Sequence, residues 1–306
     1  MDGAVQPRNP GLIRQNQSTM SIAASLRGRT GEWQLALPLA LFFLAFFVAP
    51  LALLIGISFY VDPKMTGGLG LDQYEAFLGD RLNLSVLVDT LLLGVKATAL
   101  CLVFGFPLAW LITRVSARLQ ALLIFLVILP IVTSVVVRTF AWIIILGRRG
   151  IVNDAIIALG LSATPLRLLF SEAGVVIVLT QVQMPLMVLP LVTVLQRIDP
   201  NLASASQALG AGAWRTFFKI TLPLSMPGII AGTILTYTAC VTAFVTQSLI
   251  GGSRLLYMPM MIFQQAMDLQ NWPFAAAVSV LFMISVLVIV ALLVALSRSR
   301  AARLYG

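Results

Sequence analysis

Histidine is absent from this sequence of 306 residues, cysteine occurs twice, and charged side chains make up only 10% of it. Without histidine the chain lacks the commonest general base and the commonest metal ligand. Cys101 and Cys240 lie deep in apolar runs, where a thiol is a small hydrophobe rather than half of a redox pair, so neither a disulfide nor a metal site is expected. None of the three lysines, Lys64, Lys96 and Lys219, follows a glycine. That removes the Gly-Lys-Ser/Thr phosphate loop, and with it any nucleotide hydrolysis or bound cofactor of the chain's own. What is plentiful is apolar surface: 59% of the residues are hydrophobic and the mean hydropathy is +0.99. A composition like that belongs in a bilayer.

A span needs roughly 20 apolar residues to cross about 30 Å of hydrocarbon. Six runs qualify, at 35–60, 89–112, 121–146, 174–195, 226–250 and 274–296. They are continuously apolar well beyond the length of an alternating barrel strand, so they are read as helices. The expected class is an all-α membrane protein in which 35–306 is one six-span domain and 1–34 a polar, arginine-bearing tail. The connectors are too short for a separate soluble core.

The net charge of +9 points to orientation rather than to nucleic acid. With the amino terminus placed inside, the inner segments hold twelve of the 20 Lys and Arg but three of the 11 Asp and Glu, leaving eight of each outside. The whole excess lies on one side, and both termini are expected in the cytoplasm. The outer connector 61–88 reads as a loop or short surface helix. Pro107 and Pro130 sit inside spans, where each removes a backbone bond that neighbours must replace. Arg138 falls about 25 Å from the inner end of its span by the helical rise. It either snorkels to the outer headgroups or lines a path.

Residues 196–225 are the most informative connector. Asp199 is an N-cap with Pro200 at the first helical position, and Gly210 stops the helix. A second helix is expected from Ala213, with Trp214, Phe217 and Phe218 on one face beside Arg215 and Lys219, ended by Pro223. Such a hairpin has no soluble core to bury its apolar face. It lies in the headgroup layer or docks into another protein.

The run Ala205-Ser206-Gln207-Ala208-Leu209-Gly210-Ala211, followed by Trp214-Arg215, Phe217, Ile220, Leu222-Pro223 and Pro227-Gly228, resembles the coupling loop of type I ABC importer permeases. Further segments resemble the spermidine/putrescine-type branch of that family: Asp89-Thr90-Leu91, Gly105-Phe106-Pro107-Leu108-Ala109, Pro130 with Arg138-Thr139-Phe140-Ala141-Trp142, Gly150-Ile151-Val152-Asn153, Leu249-Ile250-Gly251-Gly252, Gln264-Gln265-Ala266 and Asn271-Trp272-Pro273-Phe274-Ala275. The resemblance implies an inner-membrane permease subunit. It further implies two copies of an ATP-binding subunit carrying ATP and Mg, a second permease, and a periplasmic solute-binding protein. It also implies that Ala205, Leu209, Gly210, Ala211, Trp214, Phe217, Lys219 and Pro223 couple to the ATPase. Ser204 stands where the family carries glutamate, which puts an ionic contact there in doubt.

Polar groups at lipid depth tend to face the bundle interior or a water-filled path. The candidates are Asp89, Lys96, Arg138, Trp142, Gln181, Gln183, Tyr237, Thr238, Thr242, Gln247 and Trp272. Threonines can instead bond their own backbone, and glutamines can join helix to helix. Gln181 and Gln183 are two apart, so at most one of them faces a given path. An ammonium cargo would look to Asp89, Glu172, Asp268 or the faces of Trp142, Tyr237 and Trp272. The cargo implied is a polyamine, with iron(III), a phosphonate or an opine-like solute as alternatives. A self-sufficient secondary transporter or channel is the rival class, although the halves show no convincing repeat.

Overall fold

A computed structural model describes residues 37–305, with only the backbone described for Ala203 and 296–305. The tail expected at 1–34 lies outside the described residues. Apart from one antiparallel bridge between Tyr60 and Leu69, every regular element described is helical.

The chain divides after Gly56 into two compact units. Among its described residues the first holds nearly all of α1 (Leu37–Ile57). Phe42 and Phe46 stack at 4.6 Å, and Phe43 and Phe47 at 4.8 Å, as the i, i+4 spacing of a helix dictates. A π-turn at Leu44–Val48 precedes Pro50. The widened turn makes room for a ring that would collide with the carbonyl four residues back.

The second unit carries α2 (Asp72–Gly79), α3 (Arg81–Ile112), α4 (Ala117–Val132), α5 (Val135–Leu146), α6 (Ile151–Ala158), α7 (Glu172–Leu195) and α8 (Pro200–Ala208). They are followed by α9 (Ala213–Val241), α10 (Phe244–Gly251), α11 (Met258–Phe263) and α12 (Trp272–Tyr305). Its centre is α7, packed against α3 and α9, which also pack on one another. The close approach comes from small residues. A Cβ on Gly232 would lie 3.0 Å from the Met187 carbonyl oxygen, and one on Gly228 would lie 3.1 Å from that of Pro190. The pair at i, i+4 therefore lets α9 settle backbone-first onto α7. Around this contact Cys101, Phe106 and Ile112 of α3 pack with Met187, Val188 and Leu191 of α7 toward one end. Leu93 and Ala97 pack with Val175, Leu179 and Ile250 toward the other.

Among the described residues five helices are long and apolar enough to cross a membrane: α1, α3, α7, α9, and α12 over Trp272–Ala295. The third expected span is a broken pair, Ala117–Val132 and Val135–Ala158, bent by 101°. The expectation of one straight helix over 121–146 is thus corrected. The fifth expected span, 226–250, is also divided, between α9 and α10 at Thr242 and Ala243.

Both breaks are closed in the same way. The Pro130 carbonyl, whose helical partner would lie past the first break, accepts from the Thr133 hydroxyl at 3.1 Å and from the Arg138 guanidinium. Past the second break, the Gln247 amide donates to the carbonyls of Cys240 at 2.8 Å and Val241 at 3.1 Å. In each case a long polar side chain early in the following helix turns back to the carbonyls at the break, where a bilayer would offer them no partner.

Candidate functional site

The hairpin at 196–225 is held by local bonds. The Asp199 carboxylate accepts from the Asn201 N–H at 2.9 Å and starts α8 at Pro200. At the other end Gly210 adopts φ +83°. The Ala211 N–H reaches the Ser206 carbonyl at 3.1 Å and the Gly210 N–H reaches that of Gln207 at 2.9 Å. This pair of bonds is a Schellman ending, which needs a left-handed residue and so favours glycine. The two arms are then tied by the hydroxyls of Ser206 and Thr216, 3.0 Å apart. Sequence reasoning missed that tie, and the only signal for it was a small polar residue on each arm.

The apolar tip faces outward. Leu209 is 90% exposed and Trp214 77% exposed, and Trp214 stacks on Phe218 at 6.0 Å. Ala205 and Lys219 are exposed and Ala211 is half-buried. Phe217 turns inward, edge-on to Phe106 of α3 at 5.6 Å. Phe106, Pro107, Trp110, Trp214 and Phe217 line an apolar cavity of ≈ 360 Å³ beside the tip. Arg114 lies over the Trp110 ring, 4.5 Å from its centre, and puts a cation at this rim.

One expectation is overturned: the second arm does not end at Pro223. It runs on as α9 to Val241 through a π-turn at Phe217–Thr221. As in α1, the wide turn sits just ahead of the proline and absorbs its ring. The second arm of the hairpin is therefore continuous with a spanning helix, with no break between them.

The polar residues of the spans separate into distinct places. Arg138, Gln183 and Thr242 line a cavity of ≈ 450 Å³ at the two helix breaks, with Val182, Leu186 and Phe244. Gln183 donates to the Ala239 carbonyl at 3.2 Å. Thr242 donates to the Thr238 carbonyl and Thr238 to that of Ile234, both at 2.8 Å, so both hydroxyls bond back along their own helix. Gln181 opens instead on a separate, largely apolar cavity with Leu100, Phe104 and Met184. It accepts from the Trp142 indole N–H at 3.2 Å.

A third cavity, of ≈ 330 Å³, gathers Asp89, Lys96, Glu172, Arg254 and Tyr257 near the start of α7. Lys96 and Glu172 form the one ion pair among the described residues and join α3 to α7. Burial, and then the carboxylates of Glu172 and Asp89, raise the Tyr257 phenol pKa. Tyr237 and Gln247 are 1% exposed and lie in the packed interior, lining none of these cavities. Trp272 and Asp268 are exposed at and before the start of α12, also away from the cavities.

A membrane bundle with two broken spans and a rigid apolar hairpin at one end has the build of a transport subunit driven from outside itself. Residues 90–303 match the family described as binding-protein-dependent transport system inner membrane component. The chain belongs to that family. It is the multi-pass inner-membrane permease subunit of an ABC importer, and ATP hydrolysis resides on a separate partner subunit.

Over 210 residues it is 36% identical to the spermidine/putrescine transport system permease protein PotB of Escherichia coli K12, covering 69% of this chain and 76% of that protein. PotB of Haemophilus influenzae is 34% identical over 225 residues, covering 74% and 77%. A bacterial alginate ABC transporter, solved in complex with its alginate pentasaccharide-bound periplasmic protein, shares the fold with a TM-score of 0.71 at 19% identity. That match covers 91% of this chain and 97% of the other.

Proposed function

We propose that this permease moves a polyamine of the spermidine/putrescine class, released to it by a periplasmic solute-binding protein. The similarity to two PotB proteins over some 69% to 74% of the chain carries this reading. The hairpin inserts into a cleft on the ATP-binding subunit, of which two copies with ATP and Mg complete the importer beside a second permease. Both termini and the hairpin are cytoplasmic, in keeping with the positive excess on that side. Nucleotide favours one conformation of the ATPase. Because α8, its tie and α9 form one unhinged body, that preference becomes a tilt of the spans and opens the path alternately to each side.

Uptake of labelled putrescine and spermidine tests this, in cells stripped of their own polyamine importers and supplied with the full transporter. Uptake should appear, and should vanish when the partner ATPase is made unable to hydrolyse ATP. Transport by this polypeptide alone in vesicles, without nucleotide, would overturn the mechanism.

One observation favours a second cargo class. Among the described residues the only ionised side chain lining the cavity at the helix breaks is Arg138, a better partner for a carboxylate or phosphonate than for an ammonium. Competition of labelled putrescine uptake by opine-like or phosphonate solutes separates the two readings.

A further inference from the structure

Arg148 and Arg167, on either side of α6, and the distant Arg254 together line one cavity of ≈ 540 Å³. Among the described residues no Asp or Glu lines it. All three side chains are exposed, and none takes part in the one ion pair among the described residues. Arg254 also borders the neighbouring cavity that holds Asp89 and Glu172, again without pairing to either. The outer side, neutral in sum, is therefore polarised: its acids concentrate in 62–89, and these arginines face a space without any.

The backbone around the cavity is fixed at a cost. Phe170 holds φ +60°, a left-handed conformation that disfavours a bulky side chain by about 1–2 kcal/mol. Its N–H donates to the Ile250 carbonyl at 3.0 Å. Opposite it, Gly252 has φ +62°, and a Cβ there would lie 2.5 Å from the Phe170 ring. Two left-handed residues locked face to face hold the Arg167 and Arg254 connectors together, and strain of this kind collects where geometry serves function.

Guanidinium groups sharing a cavity repel one another, which an incoming carboxylate relieves while accepting paired N–H bonds from their planar forks. The cavity lies just before the start of α7, a helix of 24 residues that ends at the hairpin connector. At the helical rise that is about 36 Å away, so the cavity belongs to the opposite, outer end.

We propose that this arginine cavity is the docking point for carboxylate side chains on the solute-binding protein. The proposal rests on the importer reading and on the outward orientation of the start of α7. The lining residues belong to connectors at and beyond the helix ends rather than to the lipid-facing sides of spans. That favours a protein partner over a lipid headgroup.

The test uses the whole transporter, with its ATPase and second permease, in phosphatidylcholine nanodiscs, and follows ATP hydrolysis as the cognate binding protein is titrated. The R148Q/R167Q/R254Q variant should need about ten-fold more binding protein for half-stimulation at low salt, with the maximal rate unchanged. Added salt should carry the wild type toward the variant's value. Each single substitution should show part of the shift, which guards against a triple variant that fails to fold. Equal half-stimulation in variant and wild type, or a wild-type curve indifferent to salt, would overturn the proposal. So would a difference that emerges only when anionic phosphatidylglycerol is added, since the arginines would then be serving lipid. A wild-type complex that no binding protein stimulates would instead sink the importer reading on which this one stands.

Discussion

The hairpin and the two helix breaks solve opposite problems with the same material. At the hairpin an apolar tip is held exposed by bonds among residues close in sequence: Asp199 to Asn201, Ala211 to Ser206, Ser206 to Thr216. At the breaks polar groups are held inside the bundle, and Arg138 and Gln247 turn back on carbonyls of the preceding helix. Exposed apolar surface on a rigid body is suited to a partner. Interrupted backbone at membrane depth survives only where protein or a water-filled cavity surrounds it. Under the proposed function the first region passes on motion, and the second changes shape around a cargo.

The largest effect expected from disturbing this division is Gly210→Trp. It places a side chain in a left-handed position and bulk on the docking tip, and leaves the packing of the spans untouched. Uptake should fall to background while the membrane-inserted amount, read by immunoblot, stays at the wild-type level. Normal uptake in that variant would remove the hairpin from coupling.

Next comes Gln247→Leu, which strips the cap from the Cys240 and Val241 carbonyls. The Cys240 carbonyl keeps the Ala243 N–H at 3.4 Å, but leaving the buried Val241 acceptor without the Gln247 amide costs about 1–3 kcal/mol. The thermal midpoint of the detergent-solubilised transporter should drop, with uptake falling in step with abundance. A variant as stable as wild type but defective in transport would return Gln247 to the path.

Arg138→Ala should reduce uptake several-fold at near-normal abundance, because Arg138 both lines the cavity at the breaks and caps Pro130. Arg138→Lys keeps the charge without the fork and should recover only part of it. Unchanged transport kinetics in both would leave an arginine that merely reaches for headgroups.

How much of this the sequence disclosed follows the same line. Asp199, Pro200 and Gly210 obey rules of a single helix end, so the start of α8 and its glycine stop were legible, and with them the family resemblance. Pro223 misled because a proline stops a regular helix, whereas a π-turn formed ahead of it lets α9 continue. Lys96 was visible as a charge at lipid depth, but its partner Glu172 lies 76 residues away and no local pattern joins them. That Tyr237 and Gln247 are buried rather than on a cavity was not legible, because burial in a packed interface and exposure to a cavity draw on the same amino acids.

Ser206→Ala should have the smallest effect, and it tests whether the hairpin moves as one body. The change removes a single hydroxyl contact to Thr216, and because Ser206 is only half-buried, water can take over part of what is lost. A bond of that kind contributes about 0.5–1.5 kcal/mol. The backbone bonds that end α8 at Gly210 do not depend on it. Uptake should therefore fall modestly, and the loss should appear in the number of ATP molecules hydrolysed per solute moved, since a looser joint transmits less of each ATPase closure. Thr216→Val removes the same bond from the other arm. If the tie acts through this contact, the double variant should be no worse than either single one. Losses that add would mean the two hydroxyls serve separate ends, and α8 would have to be treated as hinged on α9.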